Sequence, residues 1–382
     1  MDSKIKNIVE AAERIQEAVK NNERIIIYGD SDLDGIASAV ILEEAIKNLG
    51  GKIDVVLFPD RENDGYGINQ KALDFLQDKA PALFIALDLG IGNIKEIAMA
   101  NAMGFTVIVI DHHEILQGIP DAKIVVDPKQ KDDISECTHL ANAGLTFKLA
   151  EEILGKNLSS QLKNSFLELA ALATISDMVP QVKDNKVFIE EGLRSLKNTF
   201  RPGLRAFLDL LGEGEVLSGG FYKVISALNA GESRDFKNES YVLLTSSSYE
   251  ECMELVQMLI AKTQYKQQKI KEITEEVERR TSQRPSSPIV FEGDPAWRLM
   301  LAGPVASIIY SKYDKPTFIY KKGDSESCGS VRSPKDTNSV DAMKSCANLL
   351  ITYGGHAQAS GFRLKNENLE KFKQCLVDYF KK

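Results

Sequence analysis

The sequence predicts an α/β protein, with a parallel-sheet domain, a smaller second α/β domain and a long linker helix that joins them. Five short apolar runs alternate with helical segments over residues 24–126, which is typical of parallel strands buried on both faces. A strongly charged segment, 249–284, predicts the linker helix. Pro285 ends it and marks a domain boundary. We therefore expect domains at 1–240 and 286–382.

Each element follows from local sequence signals. An N-terminal helix is expected up to about residue 22, because apolar residues recur there at helical spacing. The five apolar runs predict strands at 24–28, 53–58, 83–87, 106–110 and 122–126. Further helices are expected within 142–176 and 185–230. In the second domain, strands are expected at 288–291, 316–320 and 328–333, and helices at 299–313, 340–352 and 369–380.

Composition limits the classes of protein that the chain can be. Its 382 residues carry a net charge of −8, which argues against a broad nucleic-acid-binding surface but leaves room for a local basic groove. No apolar run reaches the roughly 18 residues of a membrane span, so no membrane partner is expected. Five cysteines show no C-x-x-C pairing and are interpreted as reduced thiols of a cytoplasmic protein.

An aspartate lies at or near the end of each strand in the first domain. These residues are Asp30, Asp60, Asp88, Asp111 and Asp127. In open parallel sheets, ligands bind outside the carboxyl ends of the strands. A single aspartate there is usually a cap or turn residue, but the set together favours a metal site.

The first strand leads into an octet, Tyr28–Gly35, that contains three carboxylates. In an extended segment Asp30, Asp32 and Asp34 would point the same way, and such close carboxylates favour a hard divalent cation. A plain surface turn is one alternative. An EF-hand loop is another, but Ile41 stands where that loop needs a glutamate, and a strand precedes the octet.

Two further segments carry candidate site residues. The fourth strand ends in Asp111-His112-His113, and adjacent histidines beside acidic strand ends suit one metal ligand and one substrate contact. Asp177 follows an apolar helix, where it could cap the chain or reach the site. The loop 228–234 contains an arginine that could bind phosphate.

Phosphate-binding signals appear in the second domain. Ser330, Arg332 and Ser333 are expected on or just after a strand, and an arginine fork suits a phosphate. Gly354-Gly355-His356 is predicted to form a turn whose backbone N–H groups approach a phosphate closely. The alternative is an ordinary helix C-cap, where glycine is routine.

These motifs together resemble the DHH phosphoesterases with a DHHA1 C-terminal domain, and within them the RecJ single-stranded-DNA exonucleases. The resemblance extends over nearly the whole chain. It rests on these segments in this order: Asp32-x-Asp34-Gly35, Pro59-x-Arg61 with Gly65-Tyr66-Gly67, Asp88-Leu89-Gly90-Ile91, Asp111-His112-His113, Ser176-Asp177-Met178-Val179-Pro180, Gly329-Ser330-Val331-Arg332-Ser333 and Gly354-Gly355-His356.

The resemblance implies a site for two divalent cations, Mn²⁺ or Mg²⁺. The implied metal ligands are Asp30, Asp32, Asp34, Asp88, His112 and Asp177, with Asp88 bridging. The implied catalytic residues are His113, which would hold the phosphate, and Asp111, which would orient a metal ligand. The implied phosphate-binding residues are Arg61, Ser330, Arg332, Ser333, Gly354, Gly355 and His356.

The sequence departs from the family pattern at two places. Tyr28 stands where many relatives have histidine, and the relatives' Asn-Ala-Ala-Gly-Arg loop appears as Asn229-Ala230-Gly231-Glu232-Ser233-Arg234. RecJ proteins also carry an added OB-fold, for which we find no sequence after the final helix.

We expect a 5′→3′ exonuclease that releases 5′-mononucleotides from single-stranded DNA by two-metal hydrolysis. It would act as a monomer, with metals on the first domain and phosphate contacts on the second. The alternatives are a phosphodiesterase of short substrates (a nanoRNase, a pAp phosphatase or a cyclic-dinucleotide hydrolase) and a non-catalytic replication scaffold.

Overall fold

The computed structural model describes residues 5–284, 286–355 and 357–381. The chain divides into two compact units, Met1–Thr263 and Gln264–Lys382.

The first unit contains strands and helices in alternation. Its strands are β1 Ile25–Gly29, β2 Val55–Leu57, β3 Leu83–Leu87, β4 Thr106–Ile110, β5 Ile124–Val126, and the short pair β6 Ser233–Arg234 and β7 Lys237–Asn238. Its helices are α1 Ile8–Lys20, α2 Leu33–Asn48, α3 Gln70–Phe75, α4 Ile94–Ala102, α5 Asn142–Leu154, α6 Ser160–Ser176, α7 Lys183–Leu196, α8 Pro202–Leu211, α9 Glu213–Glu215, α10 Phe221–Leu228 and α11 Glu239–Thr245.

Five parallel strands form the sheet of this unit, in the order β2-β1-β3-β4-β5. Successive residues of β1 enter different cores: Ile25 and Ile27 lie in one apolar cluster, and Ile26 and Tyr28 in the other. Because both faces of the sheet are covered, the strands need continuous apolar runs. The predicted parallel sheet and all five of its strands are confirmed.

The boundary between the units falls inside one helix, α12 Tyr249–Ser282. The first part of α12 buries Val256 and Leu259 in the core of the first unit. Its second part buries Ile273 and Val277 in a core of the second unit. The sequence predicts domain boundaries at 240 and 286 and a separate linker helix between them. In the structure, the buried apolar residues of this helix belong to the cores of both units.

The second unit is built on a mixed sheet. Its strands are β8 Val290–Asp294, β9 Thr317–Lys322, β10 Glu326–Arg332, β11 Thr352–Gly355 and β12 Ala359–Lys365, and its helices are α13 Leu299–Tyr313, α14 Ser339–Ser345 and α15 Leu369–Phe380. The strand order is β11-β12-β10-β9-β8, in which β8 and β9 are parallel and the other pairs antiparallel.

The structure corrects the sequence prediction around the glycine pair. Helix α14 ends at Ser345, well before residue 352, and Thr352–Gly355 forms a strand instead of a turn. Gly354 and Gly355 pair with Gly361 and Ser360 of β12. The pairing of β11 with β12 outweighs the apolar pattern that suggested a longer helix. The residues just before the glycines also favour a strand.

Cys346 and Cys375 form a disulfide, so the prediction of five reduced thiols is wrong for this pair. Their Cα atoms are 6.2 Å apart, a separation that a disulfide can bridge. The two lie 29 residues apart in the sequence, and only the packing of α14 against α15 brings them together. Cys137, Cys252 and Cys328 are free.

Across residues 5–284, 286–355 and 357–381, no helix has both the length and the apolar character that crossing a membrane requires.

Candidate active site

Acidic and histidine side chains meet at the carboxyl edge of the first sheet. Three overlapping groups have ligand atoms that lie within 4.8 Å of one another and could each hold a metal ion: Asp30, Asp32 and Asp88; Asp34, His112 and Asp177; and Asp88, His112 and His113. The structure thus brings together every residue that the sequence predicted as a metal ligand. We call the group of Asp30, Asp32 and Asp88 the Arg61 side, because Arg61 donates hydrogen bonds to Asp30 and Asp32. We call the group of Asp34, His112 and Asp177 the open side.

Helix α2 begins at Leu33, inside the octet that was expected to be extended. The carboxylate of Asp34 therefore points in a different direction from the one expected. Asp32 caps the helix, and its Oδ1 accepts hydrogen bonds from the N–H groups of Asp34 and Gly35, both at 3.2 Å. A Cβ on Gly35 would lie 2.4 Å from the carbonyl oxygen of Asp30, so glycine is needed for this close approach. The expectation that all three aspartates share one extended segment is therefore wrong, because Asp34 lies in the first helical turn.

Asp34 is fixed by the start of a second helix. Its Oδ2 accepts the N–H of Asn142 at 2.7 Å, and its Oδ1 accepts the N–H of Ala143 at 2.8 Å. These N–H groups belong to the first turn of α5, where the helix dipole favours an anion. The carboxylate keeps a free lone-pair direction on each oxygen and is held in one orientation.

His112 is oriented as a neutral ligand. Its Nδ1 donates to the carbonyl oxygen of Leu140 at 2.9 Å, so its Nε2 carries a lone pair. Burial, followed by the charge of His113, lowers the pKa of His112 to about 3. Such a second hydrogen bond fixes the tautomer of a histidine that binds metal.

Three buried atoms at this site have no hydrogen-bond partner among the described residues: Nε2 of His112, Oδ1 of Asp88 and Oδ2 of Asp177. Nε2 of His112 lies 3.3 Å from Oδ1 of Asp88 and 3.7 Å from Oδ2 of Asp177. A lone pair that faces two carboxylates is unfavourable without a cation between them. The donor set of one imidazole and several carboxylates fits Mn²⁺ or a similar divalent ion.

The pKa values of three of these carboxylates are raised, as expected for carboxylates that are buried close together. Burial, together with the charges of neighbouring aspartates, raises the pKa of Asp34 and of Asp88 well above the usual range. Burial and the charge of Asp32 raise the pKa of Asp177 to about 7. A bound cation would favour the ionised form of all three.

Asp111 holds the second histidine. Its Oδ1 accepts from Nδ1 of His113 at 2.7 Å and from the N–H of His112 at 2.8 Å, and its Oδ2 accepts the N–H of Ile91 at 2.9 Å. Burial alone would lower the pKa of His113, but this hydrogen bond and the charge of Asp111 raise it to about 9. His113 is therefore a cation near neutral pH, with Nε2–H as its remaining donor.

Arg61 contacts two of the site aspartates. Its Nε donates to Oδ1 of Asp30 at 2.7 Å, and its Nη2 donates to Oδ2 of Asp30 and, at 3.0 Å, to Oδ2 of Asp32. Its guanidinium lies 5.5 Å from the ring centre of Tyr66. The hydroxyl of Tyr66, a residue whose role the sequence reasoning did not predict, donates to the carbonyl oxygen of Asp88 at 3.3 Å.

Three of the five strand-end aspartates lie outside the three groups: Asp111, which holds His113, and Asp60 and Asp127, which do not. Asp60 accepts the N–H groups of Glu62 and Asn63 within its own turn. Asp127 is buried and accepts the N–H of Lys129 at 2.7 Å, while its Oδ2 has no partner in the part of the chain that the structure describes. These two residues show that a strand-end position alone does not define a ligand.

Tyr28 and Asn229 have roles that sequence reasoning did not assign. The buried hydroxyl of Tyr28 donates to the carbonyl oxygen of Gly67 at 3.2 Å and so supports the loop that carries Tyr66. Asn229 accepts the N–H of Leu33 at 3.0 Å and donates to the hydroxyl of Ser176 at 2.7 Å. Asn229 thereby ties the segment of Asp32 and Asp34 to that of Asp177, and only its place in the family loop could have indicated this.

The second unit holds a candidate anion contact in β10. Arg332 is partly buried, its Nε donates to the hydroxyl of Ser307 at 3.1 Å, and its Nη1 donates to the carbonyl oxygen of Val331 at 2.8 Å. Burial lowers its pKa, and no carboxylate pairs with it in the described part of the chain. Ser330 lies two residues earlier on the same strand, so it shares a face with Arg332.

The other predicted phosphate contacts have different surroundings. Ser333 is buried, with its hydroxyl 2.9 Å from the carbonyl oxygen of Ala357 and 3.2 Å from that of Thr337, so it is engaged in holding the loop. Gly354 and Gly355 lie on β11. His356 lies outside the described residues.

Family models place both units in a known class of protein. The model of the DHH family, N-terminal domain, matches residues 24–174, and the model of the DHHA1 domain matches residues 289–382. The chain therefore contains a DHH family N-terminal domain and a DHHA1 domain, and the resemblance stated from the motifs is confirmed.

Within this class the chain is similar to RecJ. It is 31% identical to the single-stranded-DNA-specific exonuclease RecJ of Bacillus subtilis over 97% of its own length. A crystal structure of exonuclease RecJ bound to manganese has a TM-score of 0.83 and 26% identity, and the match covers 99% of this chain and 95% of that one. RecJ of Thermus thermophilus in complex with Mn²⁺ has the same fold, with a TM-score of 0.83, 24% identity and a match covering 100% of this chain. The chain spans 47% of the Bacillus protein and 55% of the Thermus chain, about half of each.

Proposed function

We propose that the protein is a metal-dependent phosphodiesterase that acts as a RecJ-like 5′→3′ exonuclease on single-stranded DNA and releases 5′-mononucleotides. The observation that carries the proposal is the convergence of three unpartnered buried atoms, on His112, Asp88 and Asp177. The similarity to RecJ over nearly the whole chain supports the substrate class. Such a substrate would place the protein in the cytoplasm.

In this proposal, two cations share one rim of carboxylates. Asp30, Asp32 and Asp88 would hold one cation, and Asp34, His112 and Asp177 the other, with Asp88 reaching both. Bound Mn²⁺ or Mg²⁺ supplies a hydroxide near neutral pH and Lewis-acid stabilisation of the phosphate. All these residues come from one chain, so a monomer suffices.

The protein's own contribution is to orient these groups and to provide a proton donor. Asp111 holds the His113 ring through Nδ1, and the raised pKa keeps Nε2 protonated near pH 7. His113 can therefore donate a hydrogen bond from Nε2 to a phosphate oxygen as negative charge develops there. Without Asp111 the ring of His113 would not be oriented, and without His113 the carboxylate of Asp111 would have no ring to hold.

The second unit would supply phosphate contacts. Arg332 is charged, partly buried and without a carboxylate partner in the described residues, so an anion would complete its surroundings. We propose that Arg332 and Ser330 bind a backbone phosphate, and that the β11 strand with Gly354 and Gly355 lets the nucleic-acid backbone approach closely.

A Mn²⁺-dependent digestion series tests this function. The substrates would be 5′- and 3′-labelled single strands of DNA and RNA, from dinucleotides to long oligomers, together with cyclic dinucleotides. We expect mononucleotides to be released from the 5′ end of long DNA. Release from the 3′ end would contradict the proposed polarity, and intact DNA in the presence of Mn²⁺ would contradict the exonuclease itself.

A phosphodiesterase of short substrates is the second candidate. The net charge of −8 favours it, because a small substrate needs no extended basic surface. Activity confined to dinucleotides or cyclic dinucleotides in the same series would select this function. A non-catalytic scaffold would bind single strands in the presence of Mn²⁺ and cleave none of the substrates.

A further inference from the structure

The Arg61 side of the site already contains a positive charge. The guanidinium of Arg61 contacts Asp30 through Nε and Nη2, and Asp32 through Nη2 at 3.0 Å. Both carboxylates belong to one of the groups that could hold a cation. A fork of this kind is a strong pairing for carboxylates, and it uses oxygens that a metal would need.

We propose that Arg61 is a displaceable counterion: it occupies the cation position between Asp30 and Asp32 and leaves these carboxylates when a divalent cation binds there. This inference rests on the proposed function, because it assumes that the site binds two cations. A guanidinium on these oxygens competes with a divalent cation for their lone pairs and repels it at contact distance. Binding on this side therefore carries the cost of breaking the Arg61 contacts.

The open side has no such competitor. In the described parts of the chain, no lysine or arginine side chain hydrogen-bonds to Asp34, His112 or Asp177. His112 and Asp177 instead present unpartnered atoms. The two halves of the site should therefore differ in affinity, and the open side should fill first.

Once displaced, Arg61 becomes available to an anion. Its side chain is 38% exposed and lies over the ring of Tyr66, so it has a path from the carboxylates towards solvent. A nucleotide phosphate is the anion that the proposed reaction brings to this edge. Metal on the Arg61 side and a 5′-phosphate should then strengthen each other's binding, as linkage requires.

Mn²⁺ binding to the whole chain tests the inference without an activity assay. Free Mn²⁺ would be followed by electron paramagnetic resonance for the wild type, Arg61→Gln and Arg61→Lys, each with and without thymidine 5′-monophosphate. Arg24→Gln is the matched control, because Arg24 belongs to the same unit and its guanidinium donates to a backbone carbonyl, that of Lys79, and not to a site carboxylate. Thermal unfolding would confirm that each variant folds.

We expect the wild type to bind one Mn²⁺ tightly and a second at least ~10-fold more weakly. Arg61→Gln should strengthen the second site by ~10-fold, while Arg61→Lys and Arg24→Gln should change it much less. Thymidine 5′-monophosphate should strengthen the second site of the wild type by ~10-fold and that of Arg61→Gln only slightly.

The outcomes separate the inference from the proposed function. Two equal Mn²⁺ sites in the wild type, unchanged by Arg61→Gln, would overturn the role of Arg61 and leave the proposed function standing. The same nucleotide effect in the wild type and Arg61→Gln would overturn the coupling through Arg61. No Mn²⁺ binding by any variant would overturn both the metal site and the inference.

Discussion

Both compact units place charged side chains at a sheet, but they do so with opposite sign. The first unit gathers buried carboxylates whose pKa values are raised by burial and by one another, as at Asp34 and Asp88. The second unit has a partly buried arginine, Arg332, without a carboxylate partner among the described residues. The first arrangement suits a cation and the second an anion.

The units also differ in what stabilises them. The first has an extensive apolar core on both faces of its sheet. The second has a smaller core, centred on aromatic residues such as Phe291 and Phe362, and a disulfide between α14 and α15. A small core often needs such a covalent link.

The largest expected effect comes from Asp88, the carboxylate that belongs to two of the candidate metal groups. We expect Asp88→Asn to reduce single-strand hydrolysis by on the order of 10³-fold, since it removes a ligand charge from both sides of the site. The measurement is the initial rate on labelled DNA with Mn²⁺. Asp60→Asn is the control, because Asp60 follows β2 but accepts hydrogen bonds only within its own turn among the described residues, so this variant should retain activity. An equal loss of activity in both variants would contradict the assignment of Asp88 as a metal ligand.

The second effect concerns the disulfide of the second unit. We expect Cys375→Ser to lower the free energy of unfolding by about 3 kcal/mol, because the link constrains the unfolded chain. Urea unfolding of the oxidised variants gives this value. Cys328→Ser, which removes a free thiol of the same unit, is the control. Identical unfolding of wild type and Cys375→Ser under oxidising conditions would show that the link does not stabilise this unit.

A smaller effect tests the anion contact. We expect Arg332→Gln to raise the KM for single-stranded DNA by ~10-fold with a lesser change in kcat, and to reduce the salt dependence of binding by about 0.7 in log–log slope. Arg363→Gln is matched to it, because Arg363 is exposed on the neighbouring strand and pairs with Glu326. If both variants show the same salt dependence as the wild type, Arg332 does not contact phosphate.

The smallest effect is a pH dependence of stability at Asp127. Burial raises the pKa of Asp127 to about 7 from an ordinary value of 3.8. The folded state therefore binds a proton that the unfolded state has lost, so stability falls as the pH rises from about 4 to about 7. Asp127→Asn, which stays neutral, should remove this decline, on the order of 2 kcal/mol.

Chemical unfolding in EDTA at pH 5 and pH 8 measures this dependence with the metal site empty. Glu10→Gln, on the exposed face of α1 in the same unit, provides the comparison with an exterior carboxylate. A wild type and Asp127→Asn with parallel pH profiles would show that Asp127 is ionised in the folded state.

Much of the site could be predicted because its residues adjoin strand ends that the sequence marks clearly. β-Branched runs bounded by aspartate gave the positions of Asp30, Asp88 and Asp111, and the topology of a parallel sheet brings those positions to one edge. The same reasoning also selected Asp60 and Asp127, which lie outside the metal groups. A local pattern tells where a carboxylate lies along the chain, but its direction depends on neighbouring elements.

The sequence by itself determined the α/β class, the order of the parallel strands along the chain and the residue types of the acidic rim, because apolar periodicity and turn residues act locally. Tertiary structure alone decided that Asp34 faces the start of α5, that Arg61 pairs with Asp30 and Asp32, and that Cys346 meets Cys375. These contacts join residues 29 or more positions apart, so they depend on how elements pack and not on the local preferences that a sequence pattern records.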